Sequence, residues 1–282
     1  ADDLLLPTAF DLLLPIARAH GAALAGYELA DASARLIGRQ TPSSLPWVGL
    51  HELLDFNRIQ PNAQLLRRDL LGHLRFDESL RGMEDWDLWL RLAQRNLRWK
   101  GLECTLAVYR QTPGTPGQRW EAMHAGTRAM LVRRFINLRA AGISHADISP
   151  ERERRILDAQ TLQYATMAAL TPALTGSGSA ADLAPAEAIL ADRHSPISPL
   201  EAAQSASTAL LFGACAVPTI DGHSERAWLS PVIAWWSRCA ALGHMPPTSE
   251  GGRGEADDVI ENALRALAAK LVHPDAIADA LL

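Results

Sequence analysis

The sequence predicts an α/β unit over residues 1–117 followed by an α-helical region over residues 118–282. Three observations carry that division. Two short apolar segments, Ala22 to Leu29 and Leu102 to Tyr109, have the length of buried strands and lie between helical patterns. The run Pro113-Gly114-Thr115-Pro116-Gly117 then breaks the chain. From Trp120 onward the composition turns to Ala, Leu and Arg at helical spacing.

Taken in order, residues 4–20 read as a helix, with Pro7 in a first turn that tolerates it and Gly21 as the stop. The stretch from Gln40 to Gly49, rich in Pro and Ser and carrying Trp47, reads as an exposed loop. A short helix is expected over His51 to Phe56, an extended segment over Ile59 to Leu66, and a helical turn over Arg67 to His73. The clearest helix runs from Asp85 to Asn96. Asp87 and Arg91 stand four apart in the acid-before-base order that supports helices, and Glu84 and Asp85 sit where the helix dipole favours acids. Beyond the Pro-Gly break, helices are expected at about 120–141, 150–170, 183–192, 199–215, 225–242 and 255–280. Linkers separate some of them at Thr171 to Pro185 and at His244 to Glu255.

Composition narrows the function classes. Charged residues are 21 % of the chain and the net charge is -5, so no global field draws it to nucleic acid. The three cysteines, Cys104, Cys215 and Cys239, are scattered, which argues against a disulfide framework and for a reduced, cytoplasmic setting. No apolar run reaches the length of a membrane span. The nine histidines form no His-Glu-x-x-His and no close pair, so a zinc site is not expected. Arg128, Arg133, Arg134 and Arg139 give one helix a basic face, which reads as solvated or as a peripheral contact to an anionic membrane surface. With no initiator Met and no basic leader, the chain is expected to begin inside a longer protein.

Two acidic knots point to chemistry. Asp2 and Asp3 could hold a divalent cation, Mg²⁺ or Mn²⁺, because hard cations take oxygen ligands; they could equally cap the helix that follows. Glu84-Asp85-Trp86-Asp87 follows the flexible Arg81-Gly82-Met83. A carboxylate there suits a general base for a sugar hydroxyl, with Trp86 as a stacking platform beside it. The bland reading, dipole complementarity plus an Asp87–Arg91 pair with Trp86 and Trp89 as core, accounts for Asp87 and Trp89. Together the knots suggest a metal-assisted transferase acting on a nucleotide-linked donor.

Four segments in sequence order extend that reading. They are Ala1-Asp2-Asp3 with Pro7, Asn62 through Leu71 with Phe76-Asp77-Glu78, Glu84 through Ala93, and Val108-Tyr109-Arg110. Over residues 1–117 they resemble the acceptor-side half of a family 2 glycosyltransferase of GT-A fold. The resemblance implies a nucleotide-sugar donor, a saccharide or other hydroxyl acceptor, and transfer with inversion. It implies Asp2, with Asp3 beside it, at the metal, Asp85 as general base and Glu84 orienting it or binding the acceptor. Arg110 would contact the donor phosphates or order the loop that closes over them. The strands that hold the nucleotide base have no counterpart here, so the segment is expected to be a partial GT-A domain, inactive by itself. The helical region resembles nothing identifiable. The competing readings are a non-catalytic helical interaction module attached to a degenerate transferase remnant, and a metal-dependent phosphohydrolase, for which no nucleophile is found.

Overall fold

The computed structural model describes residues 3–30, 36–40, 45–80, 82–110, 120–143, 148–175, 183–198, 201, 205 and 234–244. The predicted helices at 199–215 and 255–280, apart from Glu201 and Ser205, lie outside the described residues, as does the linker from Met245 to Glu255. The mixed α/β character followed by helices is present.

The chain divides into two compact units, residues 1–112 with 125–156 and residues 113–124 with 157–282. The α/β unit is therefore larger than the predicted 1–117. Residues 125–156 bring buried apolar side chains, Met130, Leu131, Phe135 and Leu138 among them, and ion pairs long in range. Arg133 lies 2.9 Å from Asp77, Arg134 lies 2.9 Å from Asp87, and Arg152 lies 3.1 Å from Asp55. Local pattern cannot reveal partners that far along the chain.

Strands β1 (Leu4–Leu5), β2 (Ala22–Ala30), β3 (Leu36–Gln40), β4 (Trp47–Val48), β5 (Gln64–Leu66) and β6 (Trp99–Arg110) form one sheet in the first unit. Its path is β1-β6-β2-β3; β4 also pairs with β6, and β5 with β2. The central pair, β2 and β6, is parallel, and the remaining pairings are antiparallel. Ala22 to Ala25 at the start of β2 are fully buried, as expected of a central parallel strand covered on both faces.

Helix α1 (Ala9–His20) lays Ala9, Leu13 and Ala17 onto Ala23, Ala25 and Leu106 of the sheet. The predicted helix over residues 4–20 is shortened at its front. Leu6 precedes a proline, which disfavours helical backbone, so Leu4–Leu5 extend and pair with Val108 and Ala107 instead. Gly21 ends α1 with a φ of 92°, and a Cβ there would meet Leu70 Cδ1 at 2.8 Å, so conformation and space both call for glycine. Leu4, Leu5, Leu6, Phe10, Leu12 and Leu14 stay exposed along β1 and α1.

Helix α2 (Leu50–Asp55), a 3-10 turn at Pro61–Ala63 and helix α3 (Arg68–Leu71) lead to α4 (Glu84–Ala93). Trp47, expected in a loop, begins the short strand β4, and the extended reading of Ile59 to Leu66 resolves into the 3-10 turn and β5. Helices α5 (Trp120–Ala140) and α6 (Pro150–Thr175) follow, and α6 continues past the break expected at Thr171. In the second unit, α7 (Ala184–Leu190) and α8 (residues 234–241) complete a core of Leu162, Ala165, Leu170, Ile189, Leu190, Trp235 and Cys239. Arg193 is buried there and donates to the carbonyls of Asp158, Ser195 and Pro196, which satisfies the chain leaving α7. Among the described residues no helix is long and apolar enough to cross a membrane.

Candidate functional site

Helix α4 begins where Gly82 takes a φ of 91°, and Glu84 Oε2 accepts a hydrogen bond from the Gly82 amide at 2.8 Å. Glu84 thus secures the turn into the helix. Its bond is to that turn and not to Asp85, although its charge does act on Asp85.

Asp85 is half-buried and held on both oxygens. Its Oδ1 accepts from the Trp86 amide at 2.6 Å, and its Oδ2 accepts from Asn57 Nδ2 at 3.3 Å. Among the described residues no lysine, arginine or histidine pairs with it. Removal from water favours the neutral acid, and the nearby Glu84 charge adds to that, while the two hydrogen bonds oppose it. Burial wins: the carboxyl is pushed up from the ordinary value near 4 to about 6.

Trp86 does not fit the stacking platform the sequence suggested. It is 2 % exposed, and its indole N–H donates to Leu53 O at 2.7 Å. An indole enclosed this way has no face left for a sugar; it joins α4 to α2. Trp89 does the same one turn on, donating to Ile59 O at 3.1 Å and packing edge-on against Trp99.

Two residues later the helix carries the opposite solution for an acid. Asp87 is fully buried, and Arg91 Nε donates to its Oδ2 at 2.8 Å, the pair expected from the spacing. Arg134 and Arg133 approach its other oxygen at 2.9 and 3.4 Å. Arg133 also binds Asp77, whose carboxyl is held at about 2 by the Ser79 hydroxyl and amide and by that guanidinium. The basic face expected on α5 is therefore turned largely to acids of its own unit. Arg139 likewise pairs with Glu153.

At the sheet edge the structure joins two more of the expected residues. Asp3 Oδ1 accepts from the backbone amide of Arg110 at 3.1 Å, so Asp3 ties the front of the chain to the end of β6 and does not cap α1. Asp2 lies outside the described residues. The segment 57–63 reaches toward both acids: Asn57 bonds Asp85, and the turn Pro61–Ala63 lies against β1 immediately after Asp3. Six residues of extended chain span roughly 20 Å, which bounds how far that segment can stretch between them.

The described residues do not make a divalent-metal site by themselves. Asp3 is a single carboxylate with one oxygen already bonded, hard dications take about six oxygen ligands, and among the described residues no group of three or more His, Cys, Asp or Glu could hold a metal.

Sequence reasoning missed Asn57, which no motif marks; its role exists only because the chain folds α2's exit onto α4. Asn62, in the quoted motif, carries a buried side-chain amide with no hydrogen-bond partner among the described residues. No family model, curated protein or solved structure matches this chain.

Proposed function

We propose that the protein is a glycosyltransferase that moves a sugar from a nucleotide-sugar to an acceptor hydroxyl with inversion, using Asp85 as general base. The observation that carries this reading is the Asp85 carboxylate: half-buried, held by two neutral donors, without a cation partner among the described residues, and pushed up to about 6. A base of that strength is mostly ionised at neutral pH yet keeps affinity for a proton, the compromise general-base catalysis requires.

In the proposed step the acceptor O–H approaches Asp85. Its proton passes to the carboxylate as the oxygen forms a bond to the anomeric carbon. The bond to the nucleotide diphosphate breaks on the opposite face, and the diphosphate leaves with the bonding pair. The order of the four sequence segments supports the assignment. Glu84 raises the proton affinity of Asp85 through its charge and sets the helix start. Arg110 stands at the end of β6 beside Asp3, where a cation could meet donor phosphates.

The test is turnover of a panel of nucleotide-sugars, with Mn²⁺ supplied, by the full-length protein. Turnover should fall as pH drops below about 6, and Asp85→Asn should lower it roughly 10²- to 10⁴-fold. An Asp85→Asn variant that transfers sugar at the wild-type rate removes Asp85 as the base.

A further inference from the structure

We infer that Asn57 is the positioning residue of Asp85: its side-chain amide, fixed in one orientation by the chain that follows it, sets the rotamer of the carboxylate. This rests on the reading of Asp85 as a base.

The orientation follows from the bonds at the two ends of the amide. Asn57 Oδ1 accepts from the Ile59 backbone N–H at 3.4 Å, an Asx-type turn, so the NH₂ end faces Asp85 Oδ2 at 3.3 Å. Flipping the amide would set an oxygen against a carboxylate oxygen and an NH₂ against an N–H, losing both bonds. The segment is also pinned on either side of Asn57. Trp86 holds Leu53 O at 2.7 Å, and Trp89 holds Ile59 O at 3.1 Å. Helix α4 thus fixes the segment with its two indoles, and the segment returns one donor to the acid of α4.

A neutral donor suits this place. An arginine or lysine beside the carboxylate would depress its proton affinity by about 1–3 units, whereas an amide orients it and withdraws less. The other ionisable groups nearby are already committed. On α2 and its exit, Glu52 bonds the Gly49 amide, Asp55 and His51 bond Arg152, and Arg58 is exposed. On α4 itself, Glu84 bonds the Gly82 amide and Asp87 is paired with arginines, while Arg133 and Arg134 of α5 face Asp77 and Asp87. Among the described residues Asn57 is left as the side chain that orients Asp85.

The experiment titrates the ¹³C-labelled Asp85 carboxyl in the whole chain and, beside it, measures nucleotide-sugar turnover by the full-length protein. The variants are Asn57→Leu, close in volume but without a donor, and the isosteric Asn57→Asp, which keeps the shape and adds a like charge. We expect the Asp85 midpoint to rise by roughly half to one unit in Asn57→Leu and further in Asn57→Asp. We expect kcat to fall on the order of 10- to 100-fold with KM little changed. A folded variant whose Asp85 midpoint stays at the wild-type value overturns the positioning role, whatever happens to turnover. A midpoint that moves while turnover does not leaves the positioning role standing and overturns the base.

Discussion

Asp85 and Asp87 sit on the same helix, two positions apart, and solve the same problem in opposite ways. Asp87 is fully buried among Arg91, Arg133 and Arg134. Asp85 is held by one amide side chain and one backbone N–H, with no cation partner among the described residues. A buried charge that is paired joins elements together: Asp87 fastens α5 to α4. A half-buried charge held by neutral donors adds little to the fold, because desolvation outweighs the bonds it accepts. It is kept in a form ready to take a proton.

The largest effect should come from breaking the paired side. Asp87→Asn keeps the shape but leaves three guanidinium groups without their shared anion, and should cost about 3–5 kcal/mol of stability in chemical unfolding. A loss under about 1 kcal/mol would mean that water already screens this cluster, and the contrast with Asp85 would weaken. A smaller effect should sharpen the assignment of Trp86 to the scaffold. Trp86→Phe loses the bond to Leu53 O and some buried volume, about 1–2 kcal/mol together, and should leave the acceptor KM unchanged. An acceptor KM raised tenfold by that change would restore Trp86 as a sugar platform.

How much of this was visible in the sequence depends on the reach of each interaction. The Asp87–Arg91 pair is a matter of helical spacing and could be read directly. The partners Arg133 and Arg134 lie more than forty residues away, and they read as one solvated basic face because only the fold brings them to Asp87. Trp86 was misjudged for a related reason. A tryptophan beside two acids looks like a binding surface until the carbonyl that takes its N–H, Leu53 O, is known. Strand β4 and the conversion of Leu4–Leu5 to an edge strand escaped notice because each is only two residues long and made by pairing with β6. Helix α4, strand β2 and the stop at Gly21 were legible because length, composition and local backbone geometry suffice to specify them. At the site, the sequence indicated Asp85 but not Asn57, since a lone asparagine in a loop carries no spacing signal.

The half-buried Asp85 carboxylate, without a cation partner among the described residues, is tested most directly by urea unfolding of the wild-type chain and Asp85→Asn, each at pH 4 and pH 8. The folded carboxyl titrates at about 6 and the unfolded one near 4. At pH 4 the folded carboxyl is protonated and the unfolded one about half protonated, so little is at stake. As pH rises toward 6 only the folded state keeps the proton, and the wild type loses stability that the asparagine variant retains. The variant should therefore gain about 2–3 kcal/mol relative to wild type between pH 4 and pH 8. A stability difference that stays constant across that range would show that Asp85 is solvated or paired, and the unpaired base would be contradicted.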